Sequence, residues 1–207
     1  MAALIAKSPW RPDRPLIVTE ENLTDWATDR PLIRIHRSAG AHPWNALREF
    51  GPLTARWDPH PEPVGEHPGF GVMYTAGDIA TAVAEVFQDR GTVDWFTGSP
   101  ALTSWRPSRT LRLLDLTGDW LTRHGASTSL AQGPHAKCRA WARAIVEQHP
   151  ELDGQLTSST MTGGACVTLW TPSADAFPPY PDHSLPLHHP AAADVVRIAA
   201  RRLGYRF

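Results

Sequence analysis

Residues 71–88 read GVMYTAGDIATAVAEVFQ and combine two hydrophobic patterns that decide the fold. The apolar run before Gly77 is typical of a short strand, which carries Tyr74 near its end. Asp78 is a residue type that caps helices, because its side chain accepts a hydrogen bond from a free backbone N–H and its charge suits the positive helix end. After Asp78 the apolar residues recur at helical spacing. A strand followed by an amphipathic helix is therefore the predicted centre of the fold.

Glu85 lies on the side of this predicted helix away from the apolar stripe, beside the small residues Thr81 and Ala84. The stripe consists of Ile79, Ala82, Val83, Val86 and Phe87. Most carboxylates on helices are solvated surface groups, so this stretch alone favours an ordinary surface position for Glu85. The rest of the chain has to decide whether it is functional.

The composition is that of an ordinary globular protein. The chain has 207 residues, of which 42% are hydrophobic and 20% charged, with a formal net charge of -1. We expect no direct nucleic-acid binding, because there is no basic excess, and no membrane span, because no apolar run is long enough. Cys138 and Cys166 lie in apolar segments and are interpreted as buried thiols of a reduced compartment. With no pattern of a signal peptide at residues 1–15, the expected location is the cytoplasm.

The segments before residue 71 provide the first candidate binding groups. Residues 1–30 are expected to form an arm on the domain, with a short helix from Thr24. Residues 32–36, LIRIH, alternate like a strand, which places Arg34 and His36 on one face. Residues 38–70 form a long, irregular loop that is rich in aromatic residues and carries Arg56 and Trp57. Long ordered loops are often functional, so this one is a candidate ligand-binding loop.

The segments after residue 88 predict a mixture of strands and helices. Residues 91–109 are interpreted as a connection, residues 111–116 as a strand and residues 134–149 as a helix. The strands 155–160 and 165–170 are expected to pair antiparallel through the Gly163-Gly164 turn. A proline-rich segment and a helix over 191–203 follow. The chain contains neither a βαβ rhythm nor a glycine-rich dinucleotide motif, which argues against a Rossmann domain.

Several of these motifs, taken in order, resemble the RES domain, a family named for its arginine, glutamate and serine. The motifs are LIRIH with Arg34, TARWDPH with Arg56, VMYTA with Tyr74, TAVAEVFQ with Glu85 and DGQLTSS with Ser159. The resemblance covers about residues 30–172, and the block from Tyr74 to Glu85 is its most specific part.

The sequence departs from the family pattern at three places. Ala55 replaces the usual glycine before the arginine, and Thr157 replaces a tyrosine before the serine. Ser158 and Ser159 are adjacent, so either can be the site serine, although the spacing from Asp153 favours Ser159.

The resemblance implies a fold, a division of the chain and a function. The fold would be a single α+β domain like the ADP-ribosyltransferase core, with small mixed or antiparallel sheets flanked by helices. Residues 1–30 would be an N-terminal arm, residues 31–172 the catalytic domain, and residues 173–207 a proline-rich segment and helix packed on it. The protein would be the toxin of a bacterial type II toxin–antitoxin system, blocked at its active site by a helix-turn-helix antitoxin.

The implied reaction is the cleavage of NAD+ between nicotinamide and ribose. This bond breaks through an oxocarbenium-like ribose, whose positive charge a carboxylate such as Glu85 would stabilise. Arg34 and Arg56 would bind the pyrophosphate through their guanidinium forks, and Tyr74 would stack on the nicotinamide or bind a ribose hydroxyl. Ser159 would donate to the ribose or the amide.

The weaker expectations for binding residues are His36, on the strand face of Arg34, and Trp57, beside Arg56. No metal and no further cofactor is expected, with inorganic phosphate left open as a co-substrate. The ADP-ribose acceptor stays open between water, phosphate and a protein, and so does a homodimer. Besides NAD+ cleavage and protein ADP-ribosylation, a third hypothesis is a binding module that keeps the fold without catalysis. The departures at Ala55 and Thr157 support it.

Overall fold

The fold is built on one mixed β-sheet of eight strands, in the order β1-β7-β8-β9-β5-β2-β6-β10. The computed structural model describes residues 9–40 and 42–207. Pairing is antiparallel throughout this sheet except between β7 and β8, which are parallel. The α+β class expected from the sequence is confirmed. The strands expected in small sheets lie in this single large sheet, beside a separate two-stranded ribbon of β3 and β4.

The described strands and α-helices have the following bounds. The strands are β1 (Leu23–Trp26), β2 (Leu32–Arg37), β3 (Phe50–Gly51), β4 (Gly65–Glu66), β5 (Val72–Ala76), β6 (Pro100–Trp105), β7 (Leu111–Asp115), β8 (Gly154–Ser158), β9 (Ala165–Trp170) and β10 (His183–Pro186). The α-helices are α1 (Ile79–Phe87), α2 (Trp120–Arg123), α3 (His135–Gln148) and α4 (Pro190–Leu203). None of the helices in the described part of the chain has the length and apolar character needed to cross a membrane.

The predicted strand–helix unit is β5 followed by α1. Asp78 caps α1 as predicted, since its side chain accepts a 2.8 Å hydrogen bond from the Thr81 amide. The buried face of the helix is broader than predicted: Thr81 and Ala84 are buried, whereas Val86 is 48% exposed. The reason is tertiary, because Thr81 also contacts Thr162 in the turn between β8 and β9, which covers that side of the helix.

Several elements differ from the sequence predictions. The expected helix from Thr24 is wrong, because that residue lies in β1, which pairs with β7 at the edge of the sheet. The expected connection over 91–109 contains the strand β6, which lies between β2 and β10. The predicted helix near α3 and the antiparallel pair β8–β9 are confirmed. Helix α4 begins at Pro190 and closes a hydrophobic cluster with α1 and β2.

The predicted division of the chain at residues 30 and 172 stays a prediction. Both flanking segments are integral to the sheet, because the first contributes β1 and the last contributes β10. Ahead of β1 the chain lies across α2 and α3, where the Ile17 carbonyl accepts a 2.8 Å bond from the Trp120 indole and Gln148 accepts one from the Leu16 amide. The chain from Leu16 to β1 therefore packs on the domain, and residues 1–8 of the predicted arm lie outside the described residues.

The feature of the sheet that matters for function is the separation of β2 from β5. Their register is limited to one pair, Ile33 opposite Ala76, although both strands continue beyond it. Further along β5, the edge at Val72 is taken by Arg48, which exchanges backbone hydrogen bonds of 2.9 and 3.0 Å with it. A cleft therefore opens within the sheet, between β2 on one side and β5 on the other.

Candidate active site

A cavity of about 580 Å³ occupies the cleft between β2 and β5. This volume is in the range typical of small-molecule and cofactor sites. It is lined by all seven residues that the sequence singles out: Arg34, His36, Arg56, Trp57, Tyr74, Glu85 and Ser159. They come from two strands, a helix, a loop and a turn, so tertiary folding alone brings them together.

The carboxylate of the cavity is held by a serine. The Ser159 hydroxyl donates a 2.6 Å hydrogen bond to Oε1 of Glu85. The same oxygen of Ser159 accepts from the backbone amides of Met161 and Thr162, at 3.1 and 3.2 Å. These two donors orient the serine toward α1. The neighbouring Ser158 is exposed, so the serine that binds Glu85 is the one favoured by the spacing from Asp153.

Tyr74 on β5 lines the same cavity as Glu85, and it has a half-buried side chain with a buried hydroxyl. No hydrogen-bond partner for that hydroxyl lies among the described residues, and the Arg48 guanidinium is close to it. Burial, and then the charge of Asp58, raise the pKa of the Tyr74 hydroxyl well above its ordinary value. The group is therefore a neutral donor and acceptor, and the half-buried side chain lines the cavity.

Arg34 and His36 project from β2 into the cavity, on the wall opposite β5. The Arg34 guanidinium donates a 3.1 Å bond to the Trp44 carbonyl, and burial lowers its pKa to about 10, so it stays charged at neutral pH. His36 bonds the Thr103 hydroxyl at 2.9 Å. Burial and the charge of Arg34 lower the pKa of His36 to about 4. The histidine is therefore neutral at pH 7, and the cations that β2 contributes to the lining are Arg34 and Arg37.

Arg56 and Trp57 form the part of the cavity wall that comes from the long loop. Arg56 donates a 2.5 Å hydrogen bond to the Gly133 carbonyl, just before α3, which ties the loop to the domain. Trp57 is buried in the hydrophobic cluster around Trp120 and Trp141. Trp57 therefore anchors this part of the loop in the core.

Three residues that the sequence patterns did not assign to the site also shape the cavity: Arg48, Asp58 and Cys166. Arg48 lines it and forms a 2.8 Å ion pair with Asp58, whose side chain is 0% exposed. Cys166 lines it beside Glu85, and burial together with the Glu85 charge raises the pKa of the thiol to about 12. Cys166 is therefore part of the cavity wall and not only a core thiol. Asp58 follows Trp57 in the recognised motif, but nothing in the sequence signals the role of Arg48.

The residues at which the chain departs from the family pattern also lie at the cavity. Ala55 and Thr157 both line it. Thr157 is buried opposite Cys166, and its hydroxyl donates a long 3.4 Å bond to the Cys166 carbonyl. Both departures are therefore part of the cavity wall, together with Glu85, Tyr74 and the arginines.

The charge of the cavity is polarised. Glu85 is the one carboxylate among the described residues that line it. The cationic side chains of the lining are Arg34, Arg37, Arg48 and Arg56. Over the described parts of the chain, no three His, Cys, Asp or Glu side chains are grouped as a metal site requires. An arrangement of this kind suits a ligand with an anionic part and a part that becomes positively charged.

Comparisons with known proteins agree with this architecture. The fold is similar to a chain in the crystal structure of the M.tuberculosis MbcT-MbcA toxin-antitoxin complex, with a TM-score of 0.59 and 18% sequence identity, covering 84% of this chain and 92% of that one. At that identity the likeness establishes the fold. A search of curated proteins by sequence finds no significant match. The RES domain family pattern matches residues 31–190, which is most of the chain and includes every predicted site residue, so this protein belongs to the RES domain family.

Proposed function

We propose that this protein is the toxin of a bacterial toxin–antitoxin pair and that it cleaves the nicotinamide–ribose bond of NAD+. The observation that carries the proposal is the pairing of Glu85 with Ser159 at one end of a cavity whose remaining charges are arginines. The family membership and the fold shared with a chain of a toxin-antitoxin complex support it.

The chemistry of this bond suits the groups around Glu85. Nicotinamide leaves as a neutral molecule and needs no general acid, whereas the ribose becomes oxocarbenium-like. A carboxylate beside the ribose stabilises this growing charge more in the transition state than in the ground state, which is the requirement for catalysis. We propose that Glu85 has this role. The Ser159 hydroxyl fixes one carboxylate oxygen of Glu85 at 2.6 Å, and the other would face the ribose.

The arginines would bind the other half of the substrate. The pyrophosphate of NAD+ carries two negative charges, which guanidinium groups match through parallel hydrogen bonds. Arg34 and Arg56 line the cavity on different walls, and each gives one donor to a backbone carbonyl. Their remaining N–H groups would bind the phosphates. The Tyr74 ring would stack on the nicotinamide or contact the ribose.

The direct test is the loss of NAD+ in the presence of the purified protein, followed by chromatography of the products. Free nicotinamide together with ADP-ribose would indicate hydrolysis. If inorganic phosphate is added and an ADP-ribose phosphate forms in place of free ADP-ribose, the reaction is phosphorolysis. Label from NAD+ that remained on a macromolecule would indicate protein ADP-ribosylation. Unchanged NAD+ at high protein concentration, with no antitoxin present, would refute the proposal and favour a binding module.

The proposed partner is an antitoxin with a helix-turn-helix domain that blocks the cavity. The shared fold with a chain of a toxin-antitoxin complex supports this proposal. Co-expression with the product of the adjacent gene tests it, because the complex should copurify and should lose NAD+ cleavage. Growth of cells that express the toxin alone should stop, and the Glu85→Gln variant should restore growth. Equal toxicity of the two forms would contradict an NAD+-based mechanism.

A further inference from the structure

We propose that Arg48 is an additional pyrophosphate-binding residue of the cavity and that the buried carboxylate of Asp58 holds it in position. The inference rests on the proposed function, since it assigns a further residue to the same substrate. It is carried by the backbone position of Arg48, by its fixed ion pair and by the separation along β5 between Arg48 and the strand pair beside Glu85.

The backbone places Arg48 at the cleft. Arg48 and Val72 exchange two backbone hydrogen bonds, so the residue lies along the edge of β5 that β2 leaves unpaired. Its side chain is 28% exposed and lines the cavity. The guanidinium therefore enters the cleft from within the split of the sheet, next to Tyr74.

The buried anchor for this guanidinium is Asp58. One Asp58 oxygen accepts 2.8 Å hydrogen bonds from Nη2 of Arg48 and from the Leu53 amide. The other accepts from the backbone amide and the ring of His60. Burial works to raise the pKa of Asp58, but these hydrogen bonds outweigh it and keep the pKa below its ordinary value. The carboxylate is thus a fixed anion, and the guanidinium that it holds is oriented before any ligand binds.

Arg48 keeps donors for a ligand. A guanidinium has five N–H groups. Nη2 of Arg48 bonds Asp58 and Nη1 donates to the Phe50 carbonyl, which leaves further N–H groups on the same plane. Because the two contacts lock the side chain, less rotamer entropy is lost when a phosphate binds the remaining donors.

The spacing along β5 suits a substrate that is extended through the cavity. Cys166, beside Glu85, is paired with Ala76, whereas Arg48 is paired with Val72. Four residues of strand correspond to about 13 Å at roughly 3.3 Å per residue. The carboxylate and Arg48 therefore mark two ends of the cleft. A ribose at Glu85 would direct its 5′ phosphate toward the end that holds Arg48.

The test compares Arg48→Gln and Arg48→Lys with the control Arg112→Gln. Arg112 also forms an ion pair, with Glu20, but its side chain is exposed and lies outside the cavity. Steady-state kinetics with NAD+ and calorimetric titration with ADP are the two measurements. ADP carries the adenosine and a diphosphate but lacks the nicotinamide and its ribose, so its binding does not depend on the bond that is cleaved.

We expect Arg48→Gln to weaken ADP binding and to raise KM for NAD+ by about ten- to a hundredfold, with a much smaller change in kcat, since it removes charge-assisted hydrogen bonds to the phosphates. Arg48→Lys retains the charge and the partner for Asp58, so it guards against loss of fold and should show an intermediate effect. Arg112→Gln should behave like the wild type. Wild-type ADP affinity and KM in both Arg48 variants would overturn the inference.

The two proposals fail in different ways. If the wild-type protein leaves NAD+ intact, the proposed reaction is wrong, but the ADP titration still measures the contribution of Arg48. If NAD+ is cleaved and both Arg48 variants bind ADP normally, the reaction stands and the assignment of Arg48 is wrong. If the Arg48 variants lower only kcat, the assignment of Arg48 is also wrong, because a phosphate contact remote from the reacting bond acts on binding.

Discussion

The Ser159 hydroxyl donates a 2.6 Å hydrogen bond to Glu85, a residue 74 positions earlier in the chain. This hydrogen bond joins the turn between β8 and β9 to helix α1 across the end of the cavity. Because two backbone amides donate to the same serine oxygen, its O–H is directed at the carboxylate. The serine therefore acts on the orientation of Glu85, in addition to any contact with substrate.

Removal of the carboxylate charge should abolish most of the activity. We expect Glu85→Gln to lower kcat for NAD+ cleavage by about 10²–10³-fold, in line with the loss of one electrostatic contact to the transition state. Ser159→Ala should lower it by about tenfold, since it removes a hydrogen bond to a charged group but leaves the carboxylate.

The double variant tests whether the two residues act as one unit. Its kcat should equal that of Glu85→Gln alone, because a serine that works through the carboxylate has no effect once the charge is gone. Urea unfolding of each variant controls for stability. If the activation free energies lost in the two single variants add up in the double variant, Ser159 contacts the substrate independently of Glu85.

Gly154 is needed for close approach of two strands. A Cβ added to Gly154 would lie 2.1 Å from the carbonyl oxygen of Thr168 in the neighbouring strand β9. We expect Gly154→Ala to destabilise the protein by more than about 3 kcal/mol, or to prevent soluble folding. The reason is that the backbone of a central strand cannot shift without disrupting its hydrogen bonds to both neighbouring strands.

The control for this variant is Gly118→Ala, where an added Cβ meets nothing within 4 Å. Its free energy of unfolding should stay within about 0.5 kcal/mol of the wild type. Urea denaturation of both variants gives the comparison. A small effect at Gly154 would mean that β8 and β9 are further apart than the structure shows.

The low pKa of His36 makes stability depend on pH. Its pKa is about 4 in the folded protein, against an ordinary value of 6.5, so between these values the unfolded chain binds more protons. The free energy of unfolding should therefore decrease as the pH falls from 6.5 to 4, and this component should be constant above 6.5. Its causes are burial and the neighbouring Arg34.

His36→Gln should remove this component and leave a flatter profile over the same pH range. The measurement is urea unfolding at intervals between pH 7 and pH 4. Asp58 has the opposite kind of shift, a lowered carboxyl pKa, so its contribution to stability is lost only at more acidic pH. An unchanged slope in His36→Gln would assign the acid sensitivity to other groups.

Cys166 should be a slow nucleophile although it lines the cavity. Its pKa of about 12 leaves almost no thiolate at neutral pH, and thiolate is the reactive form. Burial is the largest cause, followed by the charge of Glu85. Alkylation by iodoacetamide at pH 8, followed by mass spectrometry, should proceed slowly at Cys166 in the wild type.

The same experiment with Glu85→Gln tests the electrostatic cause. Removal of the carboxylate charge should lower the pKa of Cys166 and speed its alkylation. Cys138, which is fully buried and donates to the Leu130 carbonyl at 3.0 Å, is the internal reference and should stay unmodified in both proteins. A rate at Cys166 that does not respond to Glu85→Gln would show that burial alone controls this thiol.

The elements that sequence predicted well are those with a local cause. Asp78 caps α1 through a residue three positions away, and Pro134 lies at the N-cap of α3, where its missing N–H is no loss. The strand β6 was missed because the residues around it are rich in glycine, tryptophan and proline, and its pairing with β2 and β10 is long-range. Helical spacing also assigned Thr81 and Ala84 to the solvent side of α1, whereas the turn between β8 and β9 covers that side and both residues are buried.

By itself, the sequence determined which chemical groups are available and which family they resemble: Glu85 on a helix, Tyr74 on the strand before it, and Arg34 and Arg56 upstream. These are local motifs, so they can be identified from short stretches of sequence. The tertiary structure alone decided that β2 and β5 separate after a single register pair and that Arg48 enters the gap. It also decided that Ser159 meets Glu85. Contacts between residues far apart in the chain depend on how the strands pair, and no local pattern encodes that pairing.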